Sequence, residues 1–201
     1  MIKIKIVRHS ERLDYSNKIY WLTCVGQYWA DSPLTSKGHI MARDKGKQLL
    51  TDDYHPTHIY TSPYTRTFAT ATEIKTSTPD SEIIIEPLIA EYQPYKKDCV
   101  NLYPYGIPTQ YAGSDTGFSF PESYDAFTER VHFIISKLIE KHNTDIMVVT
   151  HGEVLKVIIR HLQDAFPEVV LDPGNTPYLT TISFIYDKMN GYIIKDSVKL
   201  E

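Results

Sequence analysis

The sequence has few cysteines and no long apolar run. Only Cys24 and Cys99 occur among its 201 residues, too few for the disulfide framework of a small secreted protein. We expect both to be reduced thiols in a cytoplasmic protein, with a single disulfide between them as the alternative. No run of about 18 apolar residues is present, so the sequence predicts no transmembrane helix and no membrane partner.

An excess of positive charge and the common metal-binding motifs are also missing. The formal net charge of -4 provides no global basic field, which nonspecific binding to nucleic acids usually requires. The chain contains no Walker A loop, no HExxH motif and no dense cluster of Asp, Glu and His suited to two metal ions. We therefore expect no nucleic-acid partner and no metal or other cofactor.

What the sequence does contain is a regular alternation of strand-like and helix-like segments. Strands are predicted at 2–7, 58–61, 83–85 and 146–149, helices at 36–50, 65–74, 124–139 and 154–162, and a terminal hairpin at 179–198. This order predicts an α/β protein, a three-layer α/β/α sandwich with a mostly parallel central sheet. Hydrophobic residues make up 42% of the chain, which suits one domain over 1–201. The Tyr-, Pro-, Gly- and Ser-rich segment at about 92–121 is interpreted as an ordered insertion.

Charged and nucleophilic side chains follow three of the predicted strands. Arg8, His9 and Arg12 follow the first strand, Arg66 lies just beyond the second, and His151 follows the strand at 146–149. Ligands of parallel sheets bind at the carboxyl ends of the strands. Guanidinium groups pair with phosphate oxygens, and a neutral imidazole can attack phosphorus. These residues predict a phosphate site with a histidine nucleophile.

Ordered blocks along the chain are similar to the motifs of one enzyme family. The blocks are Arg8-His9-Ser10-Glu11-Arg12, Leu34-Thr35-x-x-Gly38, Ser62-Pro63-x-x-Arg66, Glu91 and Thr150-His151-Gly152. The first resembles the Arg-His-Gly-x-Arg signature of the histidine phosphatase superfamily, also called the phosphoglycerate-mutase-like superfamily. Asp14, Lys18-x-Tyr20-Trp21 and Glu122-Ser123-Tyr124-Asp125 further resemble the suppressor of T-cell receptor signalling and ecdysteroid-phosphate phosphatase group.

The resemblance implies a metal-independent phosphomonoester hydrolase that forms a phosphohistidine on His9. The implied catalytic residues are His9, Glu91 and His151, and the implied substrate-binding residues are Arg8, Ser10, Arg12 and Arg66. Glu91 would be the general acid and base, with Glu86 as the alternative carboxyl group. Ser10 replaces the usual glycine or alanine, so its hydroxyl is expected either to contact phosphate or to crowd the pocket.

Two other functions stay open at this stage. A phosphoglycerate mutase shares the fold and nucleophile, but family mutases usually have Ser, Trp and Asn where this chain has Arg12, Asp14 and Tyr15. A catalytically silent phosphate-binding module is the other alternative, with Ser10 as the one unusual residue.

The expected partner is a phosphorylated small molecule or a phosphoprotein. Aryl phosphates, including phosphotyrosine, are favoured because aromatic residues follow the nucleophile block and Glu91. These residues are Tyr15, Tyr20, Trp21, Tyr92, Tyr95, Tyr103 and Tyr105. The oligomeric state is left open, with a homodimer as one alternative.

Overall fold

A computed structural model describes residues 1–21, 23, 31–51, 54–94, 121–169 and 172–201. The strands are β1 (Ile2–Arg8), β2 (His58–Thr61), β3 (Glu82–Ile85), β4 (Ile146–Thr150), β5 (Thr181–Asp187) and β6 (Tyr192–Leu200). The helices are α1 (Leu13–Ser16), α2 (Lys18–Tyr20), α3 (Ser36–Thr51), α4 (Thr65–Lys75), α5 (Tyr124–Lys141) and α6 (Gly152–Ala165), with a 3₁₀ turn at Pro87–Ile89.

The six strands form one sheet in the order β3-β2-β4-β1-β5-β6. Neighbours within β3-β2-β4-β1 are parallel, whereas β5 runs antiparallel to β1 and to β6. The predicted mostly parallel sheet and the terminal hairpin are therefore both present. The described part of the predicted insertion is limited to 92–94 and 121, and Cys24 and Cys99 lie outside the described residues.

Side chains of the central strands alternate between two apolar cores, as the two-residue period of a strand requires. Ile4 and Ile6 of β1 enter one core together with α5 and α6. Val7 enters the other, which includes residues of α3 and α4 such as Leu49 and Ile74. Because helices cover both faces, the predicted three-layer sandwich is confirmed.

Local sequence signals begin the helices that flank the candidate site. The Thr35 hydroxyl accepts a hydrogen bond of 2.8 Å from the Gly38 N–H at the start of α3. Ser123 caps α5 in the same way, by accepting from the Ala126 N–H. Side-chain oxygens at these positions satisfy N–H groups that have no partner within the helix.

Candidate active site

The carboxyl ends of β1 and β4 bring two histidines together. Arg8 of β1 is paired with Thr150 of β4, and the His9 N–H donates to the Thr150 carbonyl at 2.9 Å. The rings of His9 and His151, the residues that follow the two strands, have centroids 5.5 Å apart. The expectation that strand ends assemble these groups therefore holds for the two histidines.

His9 is buried and has only one ring nitrogen engaged in a hydrogen bond within the described structure. Its Nδ1 lies 2.8 Å from the Ser10 carbonyl oxygen, and since a carbonyl only accepts, Nδ1 must carry the proton. Burial, followed by the charge of Arg66, lowers the pKa of His9 well below its usual value. The ring is therefore neutral at neutral pH, with the lone pair on Nε2.

His151 is held by hydrogen bonds to both of its ring nitrogens. Arg66 donates through Nη2 to Nδ1 at 3.1 Å, so the His151 proton lies on Nε2 and is donated to the Ser62 hydroxyl at 2.7 Å. Burial, followed by the charge of Arg66, lowers the pKa of His151 well below its usual value. This second neutral imidazole is fixed in orientation beside His9.

Arg66 is a cation with 2% of its side chain exposed. It stacks over the Tyr64 ring at 4.3 Å, and its Nη1 lies 3.8 Å from Asp31 Oδ1. Within the described chain, Arg66 Nε and Nη1 make no hydrogen bond. Buried guanidinium donors of this kind are suited to an anionic ligand such as phosphate.

Arg8 and Arg12 add two cations with different surroundings. Arg8 donates to the Thr176 carbonyl, and its Nε has no hydrogen-bond partner among the residues described. Arg12 forms a two-point pair with Asp14, at 2.6 and 2.5 Å. The charges of both arginines contribute to the lowered pKa of His9. Arg12 differs from Arg66 in that a neighbouring carboxylate offsets much of its charge.

Ser10 forms hydrogen bonds to two helices beside the nucleophile block. Its hydroxyl donates to the Gly38 carbonyl at 2.7 Å, and its N–H donates to the Thr70 hydroxyl at 3.0 Å. Because the single hydroxyl proton is used by Gly38, it is not available to a phosphate oxygen. These hydrogen bonds connect Ser10, and with it the nucleophile block, to α3 and α4, and its phosphate contact stays a prediction.

Glu91 lies close to the same ring nitrogen of His151 that Arg66 contacts. Its Oε2 is 3.8 Å from His151 Nδ1, and 25% of its side chain is exposed. Burial raises the pKa of Glu91, an effect that the Arg66 charge opposes. The alternative, Glu86, accepts from the Leu88 N–H at 2.9 Å and caps the 3₁₀ turn. The geometry favours Glu91 as the carboxyl group of the site.

Tyr178 is a residue at the site that the sequence interpretation missed. Its ring centroid lies 5.8 Å from that of His9 and 4.9 Å from the Arg8 guanidinium carbon. The next residue, Leu179, has a φ of 63°, which is strained for a side chain branched beyond Cβ. Strained backbone clusters at functional sites, but no local motif marks this loop.

The aromatic residues that the sequence suggested for substrate contact have varied positions. Tyr15 stacks over Arg12 at 4.3 Å, whereas Trp21 is buried and Tyr92 packs against Tyr124 and Phe127. Tyr20 is exposed. Tyr95, Tyr103 and Tyr105 lie outside the described residues.

The described residues show neither a metal-binding cluster nor a membrane-spanning helix. They contain no group of three or more His, Cys, Asp or Glu side chains placed to hold a metal ion. Across the same residues, no helix combines the length and apolar character needed to cross a membrane.

Comparisons with known proteins agree on one family. The model of the histidine phosphatase superfamily (branch 1) matches residues 4–188. An uncharacterized phosphoglycerate mutase family protein, R708 of Acanthamoeba polyphaga mimivirus, is 56% identical over all of this chain and 98% of its own length. The ecdysteroid-phosphate phosphatase of Drosophila melanogaster is 26% identical over 82% of this chain, which matches 27% of that protein.

Among solved structures, the phosphoglycerate mutase of Bacillus anthracis has the same fold. It superposes with a TM-score of 0.65 at 19% identity and covers 98% of this chain and 92% of its own. The predictions of a phosphoglycerate-mutase-like fold and of a histidine-type phosphatase are confirmed by these findings. This chain belongs to the histidine phosphatase superfamily, branch 1.

Proposed function

We propose that this phosphatase is a metal-independent phosphomonoester hydrolase that forms a covalent phosphohistidine on His9. The observation that carries the proposal is the geometry of the His9 ring, which is buried and whose Nδ1 lies 2.8 Å from the Ser10 carbonyl oxygen and so carries the ring proton. Its Nε2 lone pair is therefore available to attack phosphorus. A covalent intermediate of this kind divides one difficult hydrolysis into two easier steps.

In the first step, His9 Nε2 forms a bond to phosphorus while the bond from phosphorus to the leaving oxygen breaks. The Glu91 carboxyl group, whose pKa is raised by burial, donates its proton to that oxygen. In the second step, a water oxygen bonds to phosphorus and the N–P bond breaks. Glu91 accepts the proton from the water, and inorganic phosphate and the starting enzyme result.

The phosphoryl oxygens would be bound by the guanidinium groups around His9. Arg66 Nε and Nη1 and Arg8 Nε are buried donors without partners in the described chain. Fixed donors aimed at the developing charge stabilise a phosphoryl transition state without reorganisation of solvent. His151, oriented by Ser62 and Arg66, would add a hydrogen-bonding group next to the transferred phosphoryl group.

The test is phosphate release from p-nitrophenyl phosphate by the whole chain with a chelator present. We expect turnover in the wild type, no turnover above background in His9→Ala, and wild-type turnover in the control His39→Ala. His39 is a partly exposed residue that pairs with Glu73. Hydrolysis by a folded His9→Ala protein, or activity that requires an added metal, would contradict the proposal.

For the substrate, we propose an aryl phosphate, with phosphotyrosine as one example. The Tyr178 ring beside His9 and Arg8 supports this choice, because offset or edge contacts between rings contribute about 0.5–1.5 kcal/mol beyond area burial. The Drosophila relative acts on an ecdysteroid phosphate, as its name states, and the Tyr178 ring would also give the fused rings of such a substrate an apolar contact.

The aryl preference is tested by kcat/KM for phosphotyrosine, phosphoserine and glycerol phosphate, corrected for leaving-group pKa with substituted phenyl phosphates. Tyr178→Leu should reduce the corrected preference up to about tenfold, while Tyr178→Phe retains it. If the preference disappears after correction in the wild type, leaving-group chemistry explains it and the ring is not needed.

Phosphoglycerate mutase is the second candidate, because a relative of 56% identity carries that family name. A mutase returns the phosphoryl group to the bound sugar acid instead of releasing phosphate. An assay with 3-phosphoglycerate separates the two functions: a hydrolase releases inorganic phosphate, whereas a mutase forms 2-phosphoglycerate.

A further inference from the structure

A buried ion pair forms hydrogen bonds with the backbone on both sides of Glu91. Arg130 of α5 donates through Nε and Nη2 to both carboxylate oxygens of Glu122, at 2.9 and 2.6 Å. The side chains of Arg130 and Glu122 are 0% and 2% exposed. A fully buried pair is costly to desolvate unless further hydrogen bonds satisfy it, so its remaining contacts are informative.

Those remaining contacts are with the residues on either side of Glu91. Arg130 Nη1 donates to the carbonyl oxygens of Leu88 and Ala90, at 2.5 and 3.2 Å. Glu122 accepts from the Gln93 N–H at 3.3 Å, and the Glu122 N–H donates to the Gln93 carbonyl at 3.0 Å.

Among the described residues, no strand pairs with the backbone of the segment from Leu88 to Gln93. Besides the ion pair, the Thr150 hydroxyl donates to the Ile89 carbonyl at 2.7 Å, and the Leu88 N–H donates to the Glu86 carboxylate at 2.9 Å. Within the described chain, the Glu91 carboxylate accepts from the adjacent Tyr92 N–H at 3.2 Å and lies 3.8 Å from His151 Nδ1. The position of its carboxyl group is therefore set mainly by the contacts of its neighbours.

We propose that Arg130 and Glu122 are positioning residues that hold Glu91 where it can transfer a proton to and from the substrate. The inference rests on the proposed role of Glu91 as general acid and base. The planar guanidinium is suited to the task because it spans a carboxylate and two carbonyls at once, which the single ammonium of lysine cannot do.

The experiment compares two classes of substrate in the whole chain. Alkyl phosphates need a proton on the leaving oxygen, whereas p-nitrophenyl phosphate leaves readily without one. Arg130→Lys keeps the positive charge but loses the planar guanidinium that binds Glu122 and two backbone carbonyls at once. We therefore expect kcat to fall at least tenfold more on the alkyl phosphate than on p-nitrophenyl phosphate. Combining Arg130→Lys with Glu91→Gln should add little further loss on the alkyl phosphate, because both changes remove the same proton transfer.

Two further variants separate positioning from a loss of stability. Glu122→Gln places an amide N–H₂ against the Arg130 donors and should give the same selective loss, which keeps the proposal testable if Arg130→Lys does not fold. Tyr54→Phe is the control, since it removes a buried hydrogen bond to the Ile146 carbonyl at the opposite end of β4. It should lower the melting temperature and leave the ratio of alkyl to aryl activity unchanged.

The outcomes distinguish this proposal from the proposed function. If Glu91→Gln is selective for alkyl phosphates but folded Arg130→Lys and Glu122→Gln lower both activities equally, the positioning role is wrong and the acid role stands. Full additivity of the double variant would overturn the positioning role in the same way. If Glu91→Gln itself shows no selectivity, the acid role fails and the positioning proposal fails with it.

Discussion

At the scale of single residues, the chemistry depends on which nitrogen of each histidine carries a proton. The Ser10 carbonyl places the proton of His9 on Nδ1, and Arg66 places that of His151 on Nε2. The two rings therefore differ in role although both are buried and neutral. Ser62 and Arg66, which form hydrogen bonds with the His151 ring, are distant from it in sequence. The sequence alone could therefore not predict the tautomer of His151.

Replacing Arg66 by lysine is expected to reduce kcat/KM by roughly 10²–10³. Lysine provides one compact charge in place of a fork that contacts His151 and presents Nε and Nη1 as additional donors. Steady-state kinetics on p-nitrophenyl phosphate measure the effect. Arg43→Lys is the matched control, because Arg43 forms an exposed pair with Glu73. Equal kcat/KM in Arg66→Lys and wild type would remove Arg66 from the site.

Glu91→Gln is expected to change how activity on an alkyl phosphate depends on pH. The proton needed in the first step is present only below the pKa of Glu91, which burial raises. If phosphoryl transfer limits turnover, wild-type kcat should fall as the pH rises through that pKa. Glutamine cannot titrate, so this fall should be absent from the variant. A pH profile of the same shape in both proteins would show that another group is responsible.

At the scale of elements, the strands and helices that build the site could be predicted from apolar periodicity. The strand end at Arg8 and the helix start at Thr35 both follow from local signals. The Tyr178 loop and the hydrogen bonds of Ser10 could not be predicted, because they depend on partners distant in sequence. Ser10 reaches Gly38 and Thr70, and Tyr178 reaches back to His9.

The packing of α3 against the nucleophile block predicts that Gly38→Ala is destabilising. A Cβ at position 38 would overlap the carbonyl oxygen of Glu11, which is backbone and cannot move aside easily. Overpacking of this kind costs about 1–3 kcal/mol. Urea denaturation of Gly38→Ala should show the loss. In Gly152→Ala the added methyl group meets side-chain atoms of Arg8 at 3.4 Å and of Thr176 at 3.8 Å, both ordinary contact distances, so stability should be unchanged or slightly higher. Equal stabilities of the two variants would contradict this account of the packing.

At the scale of the whole molecule, buried neutral histidines make stability depend on pH. Burial lowers the pKa of His9 and His151, and burial with the charge of His58 lowers the pKa of His142 to about 4. The unfolded chain, with a histidine pKa of about 6.5, takes up protons first as the pH falls. These groups therefore reduce the free energy of unfolding as the pH falls from about 6.5 toward 4.

The contribution of one histidine to the pH dependence of stability can be measured at His142, which is not a residue of the candidate active site. Its Nε2 forms a hydrogen bond of 2.7 Å with the Tyr60 hydroxyl, and His142→Gln keeps a polar partner for that hydroxyl that does not titrate. The free energy of unfolding measured between pH 6.5 and 4 should fall less steeply in the variant, by at most about 1.4 kcal/mol per pH unit. Identical slopes in the two proteins would contradict the assignment of a proton uptake to His142.

The central claim, that His9 carries the phosphoryl group during turnover, is tested most directly by trapping the intermediate. The whole chain would be mixed with p-nitrophenyl phosphate, quenched with alkali within one turnover, and digested for mass spectrometry, since phosphohistidine survives alkali and is lost in acid. We predict a phosphoryl group on the peptide that contains His9, lost after acid treatment and absent from His9→Ala. Turnover with no such adduct under conditions that trap it, or an adduct on another residue, would contradict the mechanism.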